Sequence, residues 1–473
     1  MDKSKIKKIY LIAIAIYVAL VTSFYFIAGD QLWYTESNEK IKMFDADSIT
    51  AEINEETRVS QTFTSTIDRI DRFEIVFTKG YQEGDGKVTI VILDDKNNVI
   101  VRTTRDLKDI PEQHRVYITP EKPIDETNGK DLTIKIYSTA EASEGLSVMM
   151  NSAAKDSTIE VNGKKTQGTL CFAVVGSSKI STAPYYWLIV GGIGLAIAIF
   201  LFISYKNYEN GKSGYLTVGI NAINKYKFLI SQLVSRDFKT KYKRSVFGVF
   251  WSFLNPLLTM IVQFLVFSTF FKADTQNYPV YLISGVVCFS FFSECTAMCL
   301  NSVSSNYRLI TKVYIPKYIF PLSKTISSSV NLAISLVPLL LVTIITGTAL
   351  HMSFFLMFYF LVCLIIFSLG IGMILATLMV FFRDIQFLWS VICTIWQYAT
   401  PIFYPAEIIP EKYRFIVRFN PLYHFIGCMR KCLIDGVSPE PINYVYCLIF
   451  ALGSLAIGSY IFKKCQDKFT LYL

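Results

Sequence analysis

The sequence predicts an α-helical polytopic membrane protein of about eight transmembrane helices, with an inserted extracytoplasmic antiparallel β-sandwich domain. Three observations predict this fold class. The 473 residues are 52% hydrophobic and their mean hydropathy is +0.40, which is too apolar for an ordinary soluble domain. Apolar runs of about 20 residues, the length that a helix needs to cross a bilayer, recur along the chain. One long stretch lacks such runs and alternates apolar with polar residues instead.

The apolar runs divide the chain into an N-terminal anchor and a C-terminal core. The anchor, residues 1–29, begins with Lys3, Lys5, Lys7 and Lys8. Its apolar run is long for a signal peptide and no small-x-small cleavage site follows, so we expect it to be retained. A second transmembrane helix covers 185–205, and 246–473 is expected to be a six-helix core. The predicted spans lie near 9–28, 185–205, 247–271, 279–301, 323–349, 353–381, 386–404 and 443–463.

Lysine and arginine in the short loops predict the orientation of these helices. With the N-terminus inside, the cytoplasmic segments carry 20 basic residues and the outer segments of the core carry six. This asymmetry predicts both termini in the cytoplasm. Five of the six outer basic residues fall in 405–442, so we expect that segment to be something other than a plain loop.

Residues 30–184 are expected to form the outer domain. They carry 19 Lys and Arg against 26 Asp and Glu, whereas the rest of the chain carries 27 against 11. Period-two alternation, a hairpin after 88–93 and the turn Asn162-Gly163 predict a β-sandwich, jelly-roll-like in its spacing. Cys171 is its only cysteine, so packing alone must hold it. A packed accessory domain is favoured over a sugar-binding one, because exposed aromatic platforms are hard to find.

Catalytic and metal-binding patterns are missing from the sequence. No Ser-His-Asp or HExxH arrangement exists, and the ten cysteines show no paired metal-ligand spacing. Gly211-Lys212-Ser213 ends like a phosphate-binding loop, but Lys206 stands where the first glycine is needed. We therefore expect no enzyme activity, no metal and no cofactor bound by this chain. The basic excess belongs to the membrane part, which favours lipid contact over nucleic acid.

Residues 206–245 are expected to form a cytoplasmic linker and an amphipathic interface helix. Apolar residues recur there at helical spacing from Ile223 to Tyr242. The segment ends in a basic strip that consists of Arg236, Lys239, Lys241, Lys243 and Arg244. The strip either anchors the helix to anionic lipid or receives a substrate phosphate. We expect Arg236 and Arg244 to grip phosphate, and Lys239 and Lys241 mainly to meet lipid. The candidate phosphate and interface residues are Arg236, Lys239, Lys243 and Arg244.

Five stretches of the chain stand in a characteristic order. The first contains Arg236-Asp237-Phe238, Lys243-Arg244-Ser245, Gly248, Trp251 and Asn255-Pro256. The other four are TKVYIPKYIFP (311–321), FFRD (381–384), TPIFYPAEIIPEKYRFIVRFNP (400–421) and GCMRKCLIDG (427–436). Together they resemble the permeases of type-two ABC exporters, the polysaccharide, O-antigen and teichoic-acid group, and the first stretch resembles the opening signature of that family. The resemblance covers about residues 215–465. The anchor and outer domain depart from the usual short form of the family.

The resemblance implies a bacterial cytoplasmic-membrane homodimer that works with two copies of a separate ATPase subunit. ATP and Mg²⁺ would be bound by that subunit, and the substrate would be a lipid-linked glycan. It also implies that 405–442 dips into the outer leaflet as two short helices. Asn420-Pro421 can start the second of these helices and Gly436 can end it.

Two further sets of residues are singled out in the core. Pro316 and Pro321 bracket a short segment, 303–321, that can dock into the ATPase subunit and transmit a push. Glu294 lies within a predicted span, where a charged residue marks a functional site or an interface hydrogen bond. The coupling residues are Arg308, Lys312, Tyr314, Pro316 and Lys317. The candidate path residues are Trp251, Glu294, Tyr398 and Tyr404.

Three other functions stay open at this point. An exporter of a small amphiphile, such as a drug or lipid, would share the fold. A membrane glycosyltransferase or polymerase is disfavoured, because no acidic pair with a catalytic context lies on the cytoplasmic side. A surface-sensing protein would leave the signature of the core unexplained.

Overall fold

The computed structural model describes residues 3–41, 46–79, 86–110, 115–120, 122–141, 145–154, 157–180, 183–210, 215–243, 248–271, 277–313, 315–348, 351–406, 409 and 411–472. The chain divides into two compact units. Residues 1–31 and 186–473 form the membrane unit, and residues 32–185 form the β unit.

The membrane unit is helical throughout most of its described residues. Its α-helices are α1 (Lys3–Ala28), α2 (Tyr186–Glu209), α3 (Tyr215–Tyr242), α4 (Phe250–Phe271), α5 (Tyr278–Leu300), α6 (Tyr307–Lys312), α7 (Ile319–Ile345), α8 (Met357–Phe381), α9 (Ile385–Ala399), α10 (Glu411–Arg418), α11 (Pro421–Arg430), α12 (Pro441–Cys465) and α13 (Phe469–Tyr472).

Among the described residues, seven helices are long and apolar enough to cross a membrane. They contain α1, α2, α4, α5, α7, α8 and α12. The predicted span 386–404 differs, since α9 has 15 residues. At 1.5 Å per residue such a helix covers about 22 Å, short of the roughly 30 Å hydrocarbon core. The helix ends there because the backbone becomes extended at Thr400 and Pro401 follows.

The two N-terminal membrane helices form an antiparallel pair. The Tyr10 hydroxyl lies 3.1 Å from Ser204 Oγ, and the Tyr17 hydroxyl donates to the Val190 carbonyl over 2.7 Å. A Cβ on Gly194 would lie 2.8 Å from the Tyr17 ring, so glycine leaves room for that ring. The outward faces of both helices are apolar and exposed, as expected for lipid-facing helices.

The core of the membrane unit is built around α5, which packs against α4, α7 and α8. Helices α8 and α12 approach each other most closely, through glycine. A Cβ on Gly370 would lie 2.4 Å from the Ser454 carbonyl carbon, and a Cβ on Gly458 would lie 2.3 Å from the Gly370 oxygen. Small residues of this kind let membrane helices pack backbone to backbone.

The β unit consists of two antiparallel sheets. Its strands are β1 (Tyr34–Ile41), β2 (Ser48–Ile49), β3 (Val59–Thr64), β4 (Arg69–Lys79), β5 (Lys87–Leu93), β6 (Val99–Asp106), β7 (Arg115–Ile118), β8 (Ile124–Asp125), β9 (Asp131–Ser138), β10 (Leu146–Asn151), β11 (Thr158–Val161), β12 (Lys164–Gln167), β13 (Thr169–Leu170) and β14 (Phe172–Lys179). One sheet has the order β1-β14-β4-β10-β13, with β2 on β10 and with β7 and β8 on β4. The other has the order β12-β11-β3-β9-β5-β6.

The two sheets share one apolar core. Alternate residues of β9 and β3 point inward, and Phe63 meets Phe172 of the other sheet edge-on, with ring centroids 4.8 Å apart. The predicted hairpin after 88–93 is confirmed as β5–β6. Asn162 and Gly163 both have positive φ in the β11–β12 turn, as a two-residue hairpin loop of that type requires. Cys171 is buried and unbridged.

Candidate functional site

Helix α3 packs its apolar side against the segment between α5 and α7. Ile230 and Leu233 are 9% and 5% exposed and share a buried cluster with Val303, Ile310 and Ile319. The predicted apolar stripe is therefore present at these turns, but it faces protein. The expectation that this face lies in the lipid interface is wrong at these two positions. We call the region formed by α3, residues 301–319 and the first turns of α7 the junction.

The basic strip of α3 is exposed along most of its described length. Lys239, Lys241 and Lys243 are exposed, and the Arg236 side chain is half exposed. Arg244 lies outside the described residues. The strip thus presents several cations on one end of α3, which is the surface that an anionic headgroup needs.

Arg236 is engaged with protein groups rather than standing free. One terminal nitrogen, Nη2, donates to Asn306 Oδ1 over 3.1 Å and lies 3.4 Å from Asp237 Oδ1. Its expected contact with a substrate phosphate stays a prediction. Part of its hydrogen-bonding capacity holds the segment that follows α5.

Asp237 fastens α3 to α7. Its carboxylate, 8% exposed, lies 2.9 Å from Lys324 Nζ and receives a longer contact of 3.5 Å from Ser327 Oγ. Lys324 is itself only 15% exposed. A pair this enclosed requires both partners, because removing one would leave an uncompensated charge in a largely dry site.

Glu294 has partners on two other helices. Its Oε1 accepts from Lys241 Nζ on α3 and from Asn331 Nδ2 on α7, each over 2.7 Å. The Glu294 carboxylate of α5 therefore connects α3 with α7. These contacts make Glu294 an interhelical hydrogen-bonding residue within one copy of the chain. The two roles left open by the sequence, a functional site and a position at the dimer interface, stay predictions.

The short helix α6 has one buried side and one exposed side. Ile310 is buried, whereas Tyr307, Arg308, Lys312 and Val313 are exposed. The exposed residues lie on consecutive turns of the same segment and form a compact surface of two cations and two apolar groups. Tyr314, which the sequence also singled out, lies outside the described residues.

Lys317 differs from the other predicted coupling residues. Its ammonium donates to the Gln466 carbonyl over 2.5 Å and lies 5.8 Å from the centre of the Phe469 ring. It is half buried, as is Pro316. Lys317 therefore holds the C-terminal end of the chain. The prediction that Lys317 shares a docking surface with Lys312 is not supported by its contacts.

Tyr318, beside Lys317, is half buried in the junction. Burial raises the pKa of the Tyr318 hydroxyl, and Tyr226 of α3 adds to the rise.

A second polar centre lies at the other end of the core, around Arg430. This side chain is 8% exposed and donates to the carbonyls of Pro401, Ile402 and Tyr281 over 2.8, 3.0 and 2.9 Å. The guanidinium carbon lies 3.4 Å from the centre of the Tyr281 ring, a cation–π contact. Of the five basic residues of 405–442, Arg430 is thus buried as a donor to the backbone carbonyls that follow the end of α9.

Asn420 starts α11 as predicted. Its Oδ1 accepts from the Leu422 backbone N–H over 3.1 Å and from Trp396 Nε1 over 2.9 Å. Gly436, with φ of 68°, follows the π-helical end of α11. The segment between α9 and α12 therefore contains two short helices, α10 and α11, as the resemblance implies.

The remaining path candidates lie on α4 and near the end of α9. Trp251 is 44% exposed and Tyr398 is 61% exposed. Tyr404 is half buried, and its hydroxyl donates to the Tyr398 carbonyl over 2.7 Å. Helix α9 also carries a polar stripe between its core-facing and its exposed apolar sides. That stripe consists of Gln386, Ser390, Thr394 and Gln397.

Comparisons with known proteins bear on this same part of the chain. The ABC-2 type transporter family matches residues 229–434. The chain carries an ABC-2 type transporter domain. It is 29% identical over 245 residues to the O-antigen export system permease protein RfbA of Klebsiella pneumoniae, covering 51% of this chain and 93% of that protein.

Two further relatives match the ABC-2 domain over a similar length. The polysialic acid transport protein KpsM of Escherichia coli is 22% identical over 244 residues, covering 51% of this chain and 95% of KpsM. The capsule polysaccharide export inner-membrane protein CtrC of Neisseria meningitidis serogroup B is 23% identical over 250 residues, with coverages of 51% and 93%. The resemblance to type-two ABC exporter permeases is thereby confirmed.

The ABC-2 domain contains both polar centres, the junction and the surroundings of Arg430. The family match ends before α12, and the β unit with α1 and α2 precedes it. The sequence patterns indicate no individual role for Asn306, Lys324 or Arg430. A charged residue inside the apolar run of 425–434 is the signal that could have found Arg430, whereas nothing local marks Asn306.

Proposed function

We propose that this chain is the transmembrane permease subunit of an ATP-driven exporter that moves a polysaccharide across the cytoplasmic membrane of a bacterium. One observation carries the proposal. The ABC-2 domain matches over nine-tenths of the length of relatives whose names refer to O-antigen, polysialic acid or capsule polysaccharide. The finer proposal is that the polymer is lipid-linked, as an O-antigen or a teichoic-acid-like chain would be.

Energy would come from a separate ATPase subunit. The sequence lacks a complete phosphate-binding loop, so hydrolysis needs a partner that has one. The exposed side of α6 offers Arg308 and Lys312 beside Tyr307 and Val313. Apolar groups flanked by cations suit a partner surface with an apolar groove and acidic rim. We propose that two ATPase subunits dock there, one on each copy of a permease homodimer.

The polymer would pass between the two copies. Helix α9 exposes a broad apolar side to its surroundings, and its polar stripe runs along the border of that side. A second copy against the apolar side would enclose the stripe. Hydroxyl and amide groups beside the exposed Tyr398 suit a sliding sugar chain, because they exchange hydrogen bonds without binding tightly.

The lipid carrier would enter along the basic strip. Lys239, Lys243 and Arg244 are the candidates for its phosphate, with Arg236 contributing the part of its guanidinium that Asn306 does not use. Charge-assisted contacts to phosphate each contribute about 1.5–3 kcal/mol. We propose that both termini are cytoplasmic, which requires the short α9 and the residues after it to complete an eighth crossing. The β unit would then be extracytoplasmic, where it shields or positions the emerging polymer.

The first test is deletion of the gene in its native host. Surface polysaccharide should disappear, polymer should accumulate inside the cell, and a plasmid copy should restore export. Unchanged surface polysaccharide would eliminate the proposal. A cysteine introduced near residue 100 should react with an impermeant thiol reagent added outside intact cells, and reaction only after lysis would reverse the topology.

The second test concerns the ATPase subunit. The chain purified alone should hydrolyse no ATP, and the complex should hydrolyse it. The double variant Arg308→Glu/Lys312→Glu should reduce complex formation at least tenfold, because two charge reversals face the partner. Lys464→Glu, an equally exposed lysine at the end of α12, is the matched control. Equal complex formation by both variants would remove α6 as the docking element.

A further inference from the structure

Asn306 stands at the start of α6 but does not cap that helix. An asparagine in this position ordinarily accepts a backbone N–H from its own first turn. Here its side chain makes no capping hydrogen bond, and Oδ1 accepts from Arg236 of α3 instead. The oxygen that would stabilise α6 locally is directed to another helix, 70 residues earlier in the chain.

The Asn306 carboxamide is held in a fixed orientation. Nδ2 donates to the Ser302 carbonyl over 2.8 Å and to Ser305 Oγ over 3.3 Å, and the residue is 5% exposed. Both ends of the amide are therefore paired, which fixes the direction in which Oδ1 points. The Asn306 side-chain oxygen is therefore a fixed, buried acceptor for the Arg236 guanidinium.

The other end of this contact is equally restrained. Asp237 is the next residue of α3, and its ion pair with Lys324 ties the same turn to α7. Two turns earlier, Ile230 and Leu233 lie in the apolar cluster with Ile310 of α6. Arg236 thus reaches α6 from a turn of α3 that cannot rotate away without breaking the pair between Asp237 and Lys324.

On the basis of the proposed docking of an ATPase subunit on α6, we propose that Arg236 and Asn306 form a tether that positions α6 relative to α3. A push on α6 then moves the helix that carries the basic strip, because the tether and the apolar cluster connect the two as one body. Arg236 is a positioning residue in this scheme. Its contact with Asn306 matters in every ATP cycle, whether or not substrate is present.

A double-mutant cycle tests the tether. The full complex in nanodiscs is assayed for ATP hydrolysis without substrate, for the wild type, Arg236→Ala, Asn306→Ala and the double variant. Each single substitution should lower the rate about tenfold, and the double variant should be no slower than either, which is a coupling of about 1.4 kcal/mol. Independent losses that multiply to about a hundredfold would overturn the proposal.

A conservative substitution separates the tether from general destabilisation. Asn306→Asp keeps an acceptor for Arg236 and should retain most of the activity, but only while Arg236 is present. In the Arg236→Ala background it should be worse than Asn306→Ala, since a buried carboxylate then lacks its cation. An advantage of Asn306→Asp over Asn306→Ala that does not depend on Arg236 would also overturn the tether.

Matched controls distinguish this outcome from failure of the proposed function. Gln232→Ala, one turn earlier on α3 and exposed, and Asn301→Ala, exposed in the same loop as Asn306, should leave ATP hydrolysis unchanged. If the wild-type chain forms no complex with an ATPase, the proposed function fails. If the complex forms and Arg236→Ala leaves its hydrolysis unchanged while Asn306→Ala lowers it, the tether alone fails.

Discussion

The β unit and the membrane unit differ in the kind of surface that they expose. In the β unit the two sheets enclose residues such as Ile134 and Phe172, and few large apolar residues are exposed. In the membrane unit long apolar surfaces are exposed on α1, α2 and α9, while Asn306 and Arg430 are buried. The difference shows which solvent each unit meets, because lipid tolerates apolar surface and water does not.

The comparison also teaches what holds each unit together. Burial of apolar surface stabilises the β unit, and no described cysteine there is bridged. In a bilayer that driving force is weak between helices, so close packing and buried polar contacts must do more. Substitutions should therefore destabilise the β unit through lost apolar burial, and the membrane unit through lost close packing or lost buried polar contacts.

The largest effect is expected at Arg430. Arg430→Ala removes the donor to two carbonyls that follow α9 and to the Tyr281 carbonyl of α5. Since a buried carbonyl left without a donor costs about 1–3 kcal/mol, it should destabilise the membrane unit by on the order of 4 kcal/mol. Thermal unfolding of the protein in detergent measures this. Arg418→Ala, an exposed arginine at the end of α10, is the control and should have little effect. Equal melting of both variants would mean that the buried cation is dispensable.

Next in size is a truncation in the apolar core of the β unit. Phe172→Ala leaves a cavity against Phe63 and should destabilise that unit by about 3 kcal/mol. Limited proteolysis of the full-length protein should then cleave within 32–185 sooner, with the membrane helices unaffected. Val99→Ala, at a side chain that is 59% exposed, should not change the cleavage rate. Simultaneous loss of both units would contradict their independence.

A smaller effect is expected from added volume between α8 and α12. Gly458→Ala forces a methyl group to within 2.3 Å of the Gly370 carbonyl oxygen and should cost about 1–3 kcal/mol. Gly453→Ala, on the same helix, meets nothing within 4 Å and should be neutral or slightly stabilising. Melting temperatures in detergent compare the pair. A neutral Gly458→Ala would show that the two helices can separate without cost.

The smallest effect concerns pH and the β5–β6 turn. The Asn98 side chain and backbone N–H hold the pKa of Asp94 below its ordinary value of 3.8. Because the pKa of Asp94 is lower in the folded state, its ionised carboxylate stabilises the turn fully at pH values above the ordinary pKa. This stabilisation is lost as the pH falls through the lowered pKa of the folded state. Asp94→Asn should speed proteolysis of the turn slightly at pH 7.

The difference in proteolysis rate between Asp94→Asn and the wild type should disappear in acid. At a pH below the lowered pKa of Asp94 the wild-type carboxyl is protonated, so the two proteins should be cleaved at nearly equal rates by an acid-stable protease. Asp95→Asn, at the exposed neighbouring residue, should match the wild type at both pH values. A difference that persists unchanged into acid would remove Asp94 ionisation as its cause.

Sequence patterns predicted most of the local structure. Apolar runs located the long helices, the run 88–93 located β5 and the hairpin after it, and Asn162-Gly163 located a hairpin turn. These features depend on a few neighbouring residues, so the local sequence is sufficient. The early end of α9 was not predicted, because the apolar run continues past Thr400 in the sequence. The carbonyl of Pro401 beyond that end is paired with Arg430, which lies on α11.

The amino-acid sequence by itself determined the class of protein, the order of its units, the family of its core and the position of its basic strip. Only the tertiary structure decided how those charges are used. Arg236 meets Asn306, Asp237 meets Lys324 and Lys317 meets Gln466, at separations of 70, 87 and 149 residues. Which partner a charged side chain binds depends on the distance between the two groups in space and on how far water is excluded from them. Neither the distance nor the exclusion of water can be read from the residues that are adjacent in sequence.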